Sequence, residues 1–441
     1  MACVDLQLID GDECIGASLP KINGNFAALS AAVCDLSANS TFNVVDSPTV
    51  DLTFDSYTRT LSADVKDASV TNAKIAFDGG AFAFRNKIIN GDMKISQRYG
   101  TTVKVVSSVD GFGVPVDRFC FTDSIGANWP TNGIIRYKQN TINDLPGFTN
   151  SIFLSTSTVG TIGSTNCCGI RQSIEGINIS DLAWGTSSAQ PITVSFWVKS
   201  SLAGVHSLAI NGLINDRTTI RRYVASYNIT SANTWERETI TIPGDTTAPT
   251  TWFMGTSAAG LNLIWSLGAG TNFQTTSGSW GTGGEVAATG TVNIIANAGA
   301  TFEITGVQLE KGPTATPFEH RPIGTELALC QRYYEKSYNI NVAPGTVSYS
   351  GMRVVRTYNI SLQTSNGGFE SIHFSNKKRS APAIIIYSPQ TGTKNRFYDW
   401  TFVDRTAMAY NIGDGGFETG YVGPAVAISA PTYHWTADAE L

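Results

Sequence analysis

The chain has 441 residues and a formal net charge of -5. Only 15% of its residues are charged against 42% hydrophobic, so a sizeable core must lie beneath a surface that is neutral and polar. That balance excludes the basic face a nucleic-acid binder would show, and no stretch approaches the ~18 apolar residues of a membrane span. At roughly 150 residues per domain, two or three domains are expected.

The first residues, MACVDLQLIDGDEC, carry acidic groups, no basic region and no long apolar run. They do not read as a secretory signal, so a soluble protein made in a cytoplasm is expected. Next comes IGASLPKINGNFAALSAAVCDL, whose large apolar residues Ile15, Leu19, Ile22, Phe26, Leu29, Val33 and Leu36 fall on alternating steps of four and three. Leu19, Phe26 and Val33 take heptad position a, and the other four take d. Leu at a with Ile at d favours three or four strands over two. Ser18 is placed as N-cap and Pro20 in the first turn. Gly24 and two asparagines weaken the helix in isolation, so the stripe predicts a self-associating coiled coil. The blander alternative is that it packs on its own domain, because periods of 3.5 and 3.6 differ little over three heptads.

Residues 41–80 change period. In TVDLTFDSYTRTLSADVK, Val50, Leu52 and Phe54 alternate with polar residues, as do Leu61, Ala63 and Val65 beyond a polar turn. A lone hairpin is marginal in water, so these strands are expected to interleave between copies as a β shaft. From 81 to 322, short β-runs alternate with Gly, Asn and Ser clusters: DRFCFT (117–122), ITVSFWVKSS (192–201), RRYVASYNIT (221–230), WERETITIPG (235–244), VNIIANAG (292–299) and ATFEITGVQLEKG (300–312). That spacing predicts a jelly-roll β-sandwich. TELALCQRYYEKSY then predicts a linking helix over 325–336, with Thr325 as N-cap. Five further β-runs complete a small C-terminal β-domain within 323–441. The fold class expected is mainly β, with an N-terminal helical coiled coil and β shaft.

Little in the chain suggests catalysis. The seven cysteines, at 3, 14, 34, 120, 167, 168 and 330, form no CxxC pair and read as buried thiols. No metal site and no cofactor are expected. Four histidines (His206, His320, His373, His434) accompany no GxSxG elbow, Walker A loop or HExxH, and His320 in FEHRP reads as a packing residue. Asp and Glu total 35, yet nothing singles out the positioned carboxylate pair that a glycosidase needs. The one compact basic run, Lys377-Lys378-Arg379, reads as a solvated loop.

Sugar binding leaves another trace, aromatic faces among amides and hydroxyls. Trp129, Trp265, Phe273 and Trp280 all sit in turn-rich surroundings. Trp280, in TNFQTTSGSWGTGGE, is the strongest candidate for a saccharide site because a loop of that composition builds no core of its own. The competing reading for each is a cap on the sandwich or a subunit contact. Phe196 is assigned to the core. Trp400, Tyr433 and Trp435 are further candidates, although alternation in the terminal run points to packing.

Five segments together resemble tail-fiber and tail-appendage proteins of bacteriophages: IGASLPKINGNFAALSAAVCDL, FRNKIINGDMKISQR (84–98), SFWVKSS (195–201), ITGVQLEKGPTATPFEHRPIGTELALCQRYYEKSY (304–338) and the terminal TADAEL. The VQLEKG…TPFE arrangement is also similar to carbohydrate-binding modules with a galactose-binding-like jelly-roll. The resemblance implies a homotrimeric virion protein. Residues 1–40 would fix it to a phage tail or baseplate protein, and distal domains would bind host cell-surface polysaccharide without catalysis. A tailspike-like polysaccharide depolymerase and a purely structural tail connector are the alternatives.

Overall fold

The computed structural model describes residues 50–55, 60–65, 84–107, 113–122, 128–355, 360–361, 366–399, 403–422, 427–428 and 430–441. The chain divides into residues 1–83 and 84–441. In the first unit, β1 (Val50–Asp55) and β2 (Thr60–Val65) pair antiparallel. Their register sets Val50, Leu52 and Phe54 opposite Val65, Ala63 and Leu61, as the alternation requires. The heptad residues Ile15 to Leu36 lie outside the described residues.

The second unit is mainly β. Its strands begin with β3 (Lys104–Val106), β4 (Cys120–Phe121), β5 (Ile134–Thr141), β6 (Asn150–Thr158), β7 (Cys167–Glu175) and β8 (Ile192–Ser200). There follow β9 (Gly204–Leu213), β10 (Ile220–Ile229), β11 (Glu236–Ile242), β12 (Ala259–Ala269), β13 (Gln274–Thr275), β14 (Trp280–Thr282), β15 (Ala287–Ala288) and β16 (Thr301–Lys311). Two six-stranded sheets result, in the orders β14-β10-β9-β12-β7-β4 and β11-β8-β16-β6-β5-β3. One core lies between them. Strand alternation delivers Ile192, Val194, Phe196 and Val198 from β8 to it, and Leu261, Leu263, Trp265 and Leu267 from β12.

A bulge in β16 changes that parity. Phe302 and Ile304 enter the core before it, Val307 and Leu309 after it, and the register with β8 slips between Thr305 and Gln308. Gly306 sits at the slip with φ +62°, and a Cβ there would meet the Phe148 ring at 2.8 Å. Glycine answers both demands.

Three expectations are corrected. Residues 292–299 are not a strand: Ile294–Ala296 forms a short 3-10 turn, which buries the adjacent Ile294 and Ile295 together, as strand alternation would not. The helix α1 spans Ile323–Gln331, with Pro322 rather than Thr325 at its N-cap. Its predicted end is instead β17 (Tyr334–Lys336), drawn into antiparallel pairing with the terminal strand. The basic run 377–379 is not a solvated loop either. Lys378 is buried, with Nζ 2.5 Å from Glu335, and Arg379 donates to the carbonyls of Ala439 and Glu440, leaving only Lys377 exposed. A buried carboxylate at Glu335 demands such a cation.

The rest of the second unit comprises β18 (Arg353–Val354), β19 (Ile360–Ser361), β20 (Asn366–His373), β21 (Ala383–Tyr387), β22 (Arg396–Asp399), β23 (Val403–Tyr410), β24 (Gly416–Val422), β25 (Ala427–Ile428) and β26 (Thr432–Asp438). All but β19 and β25, which pair with each other, join one sheet organised around β26. Ile372, Ile386, Phe397, Phe417, Tyr433 and Trp435 form its core. Tyr433 and Trp435 therefore pack, as their alternation implied, and Trp400 lies outside the described residues.

Candidate functional site

The outer face of the first sandwich sheet carries a row of polar side chains set by register alone. Arg222 on β10 stands opposite Asn211 on β9, Asn211 opposite Asn262 on β12, and Asn262 opposite Ser173 on β7. Directly opposed residues share a face. The core residues Leu261 and Leu263 flank Asn262, so the row points away from the core. Three of its members are linked by hydrogen bonds: Ser173 Oγ donates to Asn262 Oδ1 at 2.6 Å, and Asn262 Nδ2 donates to Asn211 Oδ1 at 3.0 Å.

One end of the row is locked. Arg222 Nε donates to Glu285 at 3.0 Å and its Nη2 to Thr275 Oγ1 at 3.1 Å. The guanidinium lies over Gly281 of β14, where a Cβ would come within 2.3 Å of Nη1. Burial pushes the Glu285 carboxyl up, but hydrogen bonds from Arg222 and the backbone, with the Arg222 charge, bring it below its ordinary value. The charge at this end is thus neutralised within the protein.

The middle of the row is open. Asn211 and Asn262 are half-buried, and an amide carries two donors and an acceptor with two lone pairs. Beside the row, Val224, Ala209 and Ile264 form an apolar strip, over which Val286, Ala287, Ala288 and a half-exposed Phe273 pack. Phe273 thus packs on the same apolar cluster as the strip that borders the amides. That arrangement suits a polyhydroxylated ligand, whose C–H face meets the ring while hydroxyls exchange hydrogen bonds with the amides.

The four aromatic residues singled out from the sequence part company here. Trp129 is 2% exposed, and its indole donates to the Gly133 carbonyl at 2.8 Å. Trp265 is 0% exposed, between Phe119 and Phe196. Neither offers a ring face to solvent. Trp280 lies in an edge strand rather than a free loop, opposite Tyr223, on the core side of the sheet. It meets Trp184, Trp252 and Tyr223 edgewise at 5.1, 5.5 and 5.2 Å and donates to the Pro243 carbonyl at 2.9 Å. Only Phe273 packs on the apolar cluster that borders the polar row. Sequence reasoning missed Arg222, Asn211, Asn262 and Ser173; their signal was one polar residue at an outward position of each of four apolar strands, which aligns into a row only once strand order and register are known.

Among the described residues, Cys120, Cys167, Cys168 and Cys330 are buried, and burial pushes the Cys168 and Cys330 thiols well up.

No protein-family model and no curated protein sequence matches the chain. Solved structures match about half of it. The enzymatically active domain of tailspike protein 4 from bacteriophage CBA120 is 15% identical, with a TM-score of 0.26, over 52% of this chain and 21% of that chain. A putative sugar binding protein from Bacteroides thetaiotaomicron is 13% identical at a TM-score of 0.26, over 51% and 99%. The family 11 carbohydrate-binding module of a Clostridium thermocellum cellulosomal cellulase is 12% identical at 0.24, over 49% and 98%. Likenesses this distant carry no functional argument, so the reading of function rests on the residues of the site.

Proposed function

We propose that the chain is a phage tail fiber or tail-appendage protein that binds host surface glycan without cleaving it, through the outer face of its sandwich. The observation that carries the glycan reading is the row Arg222–Asn211–Asn262–Ser173, bordered by the apolar cluster on which Phe273 packs. The row is prepaid in order, since its amides are oriented by one another before a ligand arrives. The tail assignment is supported by the five sequence segments that resemble such proteins. On this reading Ile15 to Leu36 hold a homotrimer, and the amino-terminal segment docks on a phage tail or baseplate protein. A single shallow site is expected to be weak, about 4 kcal/mol at millimolar affinity, and three linked sites would raise avidity by about 10² to 10⁴.

Affinity electrophoresis of the full chain through gels holding purified bacterial O-antigen and capsular polysaccharides tests this. Retardation by at least one polysaccharide is expected, reduced in Asn262→Ala and in Phe273→Ala, with no new reducing ends released. Retardation unchanged in both variants would place the site elsewhere, and released reducing ends would favour a depolymerase.

A further inference from the structure

A second site lies away from the sandwich face. A cavity of ≈ 490 Å³ opens where Arg98 and Tyr99 meet the sheet built around β26. Its floor is one face of that sheet: Tyr334 stands opposite Asp438, Asp438 opposite Ala383, and Thr436 opposite Ile385. The neighbouring positions Ile384, Ile386, Trp435 and Ala437 point the other way, into the sheet's own core. The cavity is therefore a consequence of two packed elements that leave space between them, of a volume within the roughly 300–1,000 Å³ of small-ligand sites.

Its chemistry is mixed in a particular way. Tyr99 supplies a half-exposed ring, the buried Tyr334 and Tyr387 close the wall behind it, and Ala383 and Ile385 supply apolar floor. Arg98 is no free anion receptor: it stacks 3.8 Å above Tyr334 and pairs with Asp438 at 2.9 Å, Glu440 at 3.5 Å and Asp117 at 3.8 Å. Asp438 is held in place twice, by Arg98 on one oxygen and by the Glu440 N–H on the other, yet its side chain stays 41% exposed. At the rim stands Lys394, exposed and without an ion-pair partner among the described residues. Two carboxylates, Asp438 and Glu440, face two cations, Arg98 and Lys394. An anion entering would meet the carboxylates and a cation would meet Arg98 and Lys394, so a neutral ligand is favoured.

We infer that this cavity binds a neutral pyranose, with a C–H face on Tyr99 and its hydroxyls shared between Asp438 and Lys394. Aromatic faces with fixed, charge-assisted acceptors and donors are what such a sugar uses. The site goes beyond the outer-face reading and does not depend on it, since it shares no residue with the amide row. It would take a terminal or side-branch sugar, where the open sheet face would follow a chain.

Saturation-transfer NMR on the full chain with methyl β-glucopyranoside, methyl β-galactopyranoside and methyl α-mannopyranoside tests it, one glycoside at a time. Transfer to at least one glycoside is expected in the wild type and in Asn262→Ala. Ala383→Trp, which fills the cavity from an exposed position, is expected to weaken it by at least about tenfold. Lys394→Ala, at the exposed rim, serves as the second variant if Ala383→Trp lowers the melting temperature, and a clear loss is expected there too. No transfer from any of the three, or transfer untouched by both cavity variants, overturns the inference. Transfer abolished by Asn262→Ala and kept in the cavity variants overturns it as well, and leaves the outer-face reading standing.

Discussion

Arg332, just past the end of α1, lays its guanidinium along the carboxylate of Glu175 at the end of β7, with Nε and Nη2 at 2.6 and 2.7 Å from the two oxygens. Glu175 is 0% exposed, and the Tyr333 hydroxyl adds a third donor at 2.5 Å. The sandwich and the C-terminal sheet are thus joined by a buried carboxylate whose acceptors are filled from the far side.

Removing one partner strands a buried charge. Arg332→Ala is expected to cost about 3–5 kcal/mol, read as a lower urea midpoint. Burial pushes the Glu175 carboxyl up, but Arg332 and Tyr333 together hold it below its ordinary 4.5. Its folded value is depressed, so its stabilisation is complete above the unfolded value and is lost as pH falls through the folded one. Acid unfolding of the wild type should therefore show a contribution below about pH 4.5 that disappears in Glu175→Gln.

The alkaline limb has the opposite origin. Burial pushes the Lys336 ammonium down to about 8, only partly countered by Asp117, although Nζ donates to the carbonyls of Gln97, Ile340 and Val342. Between that value and the ordinary 10.5 the unfolded chain holds a proton the folded chain has lost, so stability rises with pH. Burial also pushes Tyr333 and Tyr338 up to about 12, so above the ordinary 10.0 the unfolded chain ionises first and stability falls. Urea midpoints measured across about pH 7 to 11 should pass through a maximum near pH 9–10, and Lys336→Met should flatten the rising limb. A midpoint that falls monotonically from pH 7 in the wild type would contradict this.

Trp280→Ala is expected to act on stability. Its ring closes the edge of the core against Trp184 and Trp252, and its indole hydrogen bond to Pro243 is lost with it. A cost of about 2 kcal/mol or more is expected, from lost burial and edgewise ring contacts. Polysaccharide retardation measured well below the melting temperature should be unchanged. Unchanged melting with lost retardation would return Trp280 to the site.

What the sequence made legible was whatever depends on neighbours along the chain. Alternation in ITVSFWVKSS placed Phe196 in the core, and the paired apolar beats of 50–65 matched the β1–β2 register. Composition misled where long-range pairing decides. The Gly- and Ser-rich TNFQTTSGSWGTGGE reads as a loop, yet Trp280 is held in an edge strand by β10. YYEK reads as the end of a helix until β26 recruits it. The polar row was hidden for the same reason: Asn211, Asn262 and Ser173 are far apart in sequence, and each looks like an ordinary outward residue of its strand.

The trimer can be tested at Ile22, a d position at the middle of the heptad stripe. Ile22→Asp would bring three carboxylates into one apolar layer, where unpaired charge is costly. Sedimentation of the full chain is expected to give trimers for the wild type and monomers for the variant. A wild-type monomer would sink the proposed assembly.

Gly281 offers a probe of the locked end of the row. A methyl group there would come within 2.3 Å of Arg222 Nη1, but the atom it meets is the far end of a flexible side chain, so Arg222 can yield and the strand can stay. Displacing the guanidinium breaks its contacts with Glu285 and Thr275, which hold the segment over the apolar strip beside Phe273. Arg222 is 9% exposed, so displacing it also costs stability: Gly281→Ala is expected to lower the melting temperature while keeping the fold, and to weaken polysaccharide retardation severalfold when binding is measured well below that temperature. Arg222→Lys should behave likewise, since an ammonium cannot span Glu285 and Thr275 as the planar fork does. If both variants bind as well as the wild type, the locked end of the row has no part in recognition and the site shrinks to Asn211, Asn262 and Phe273.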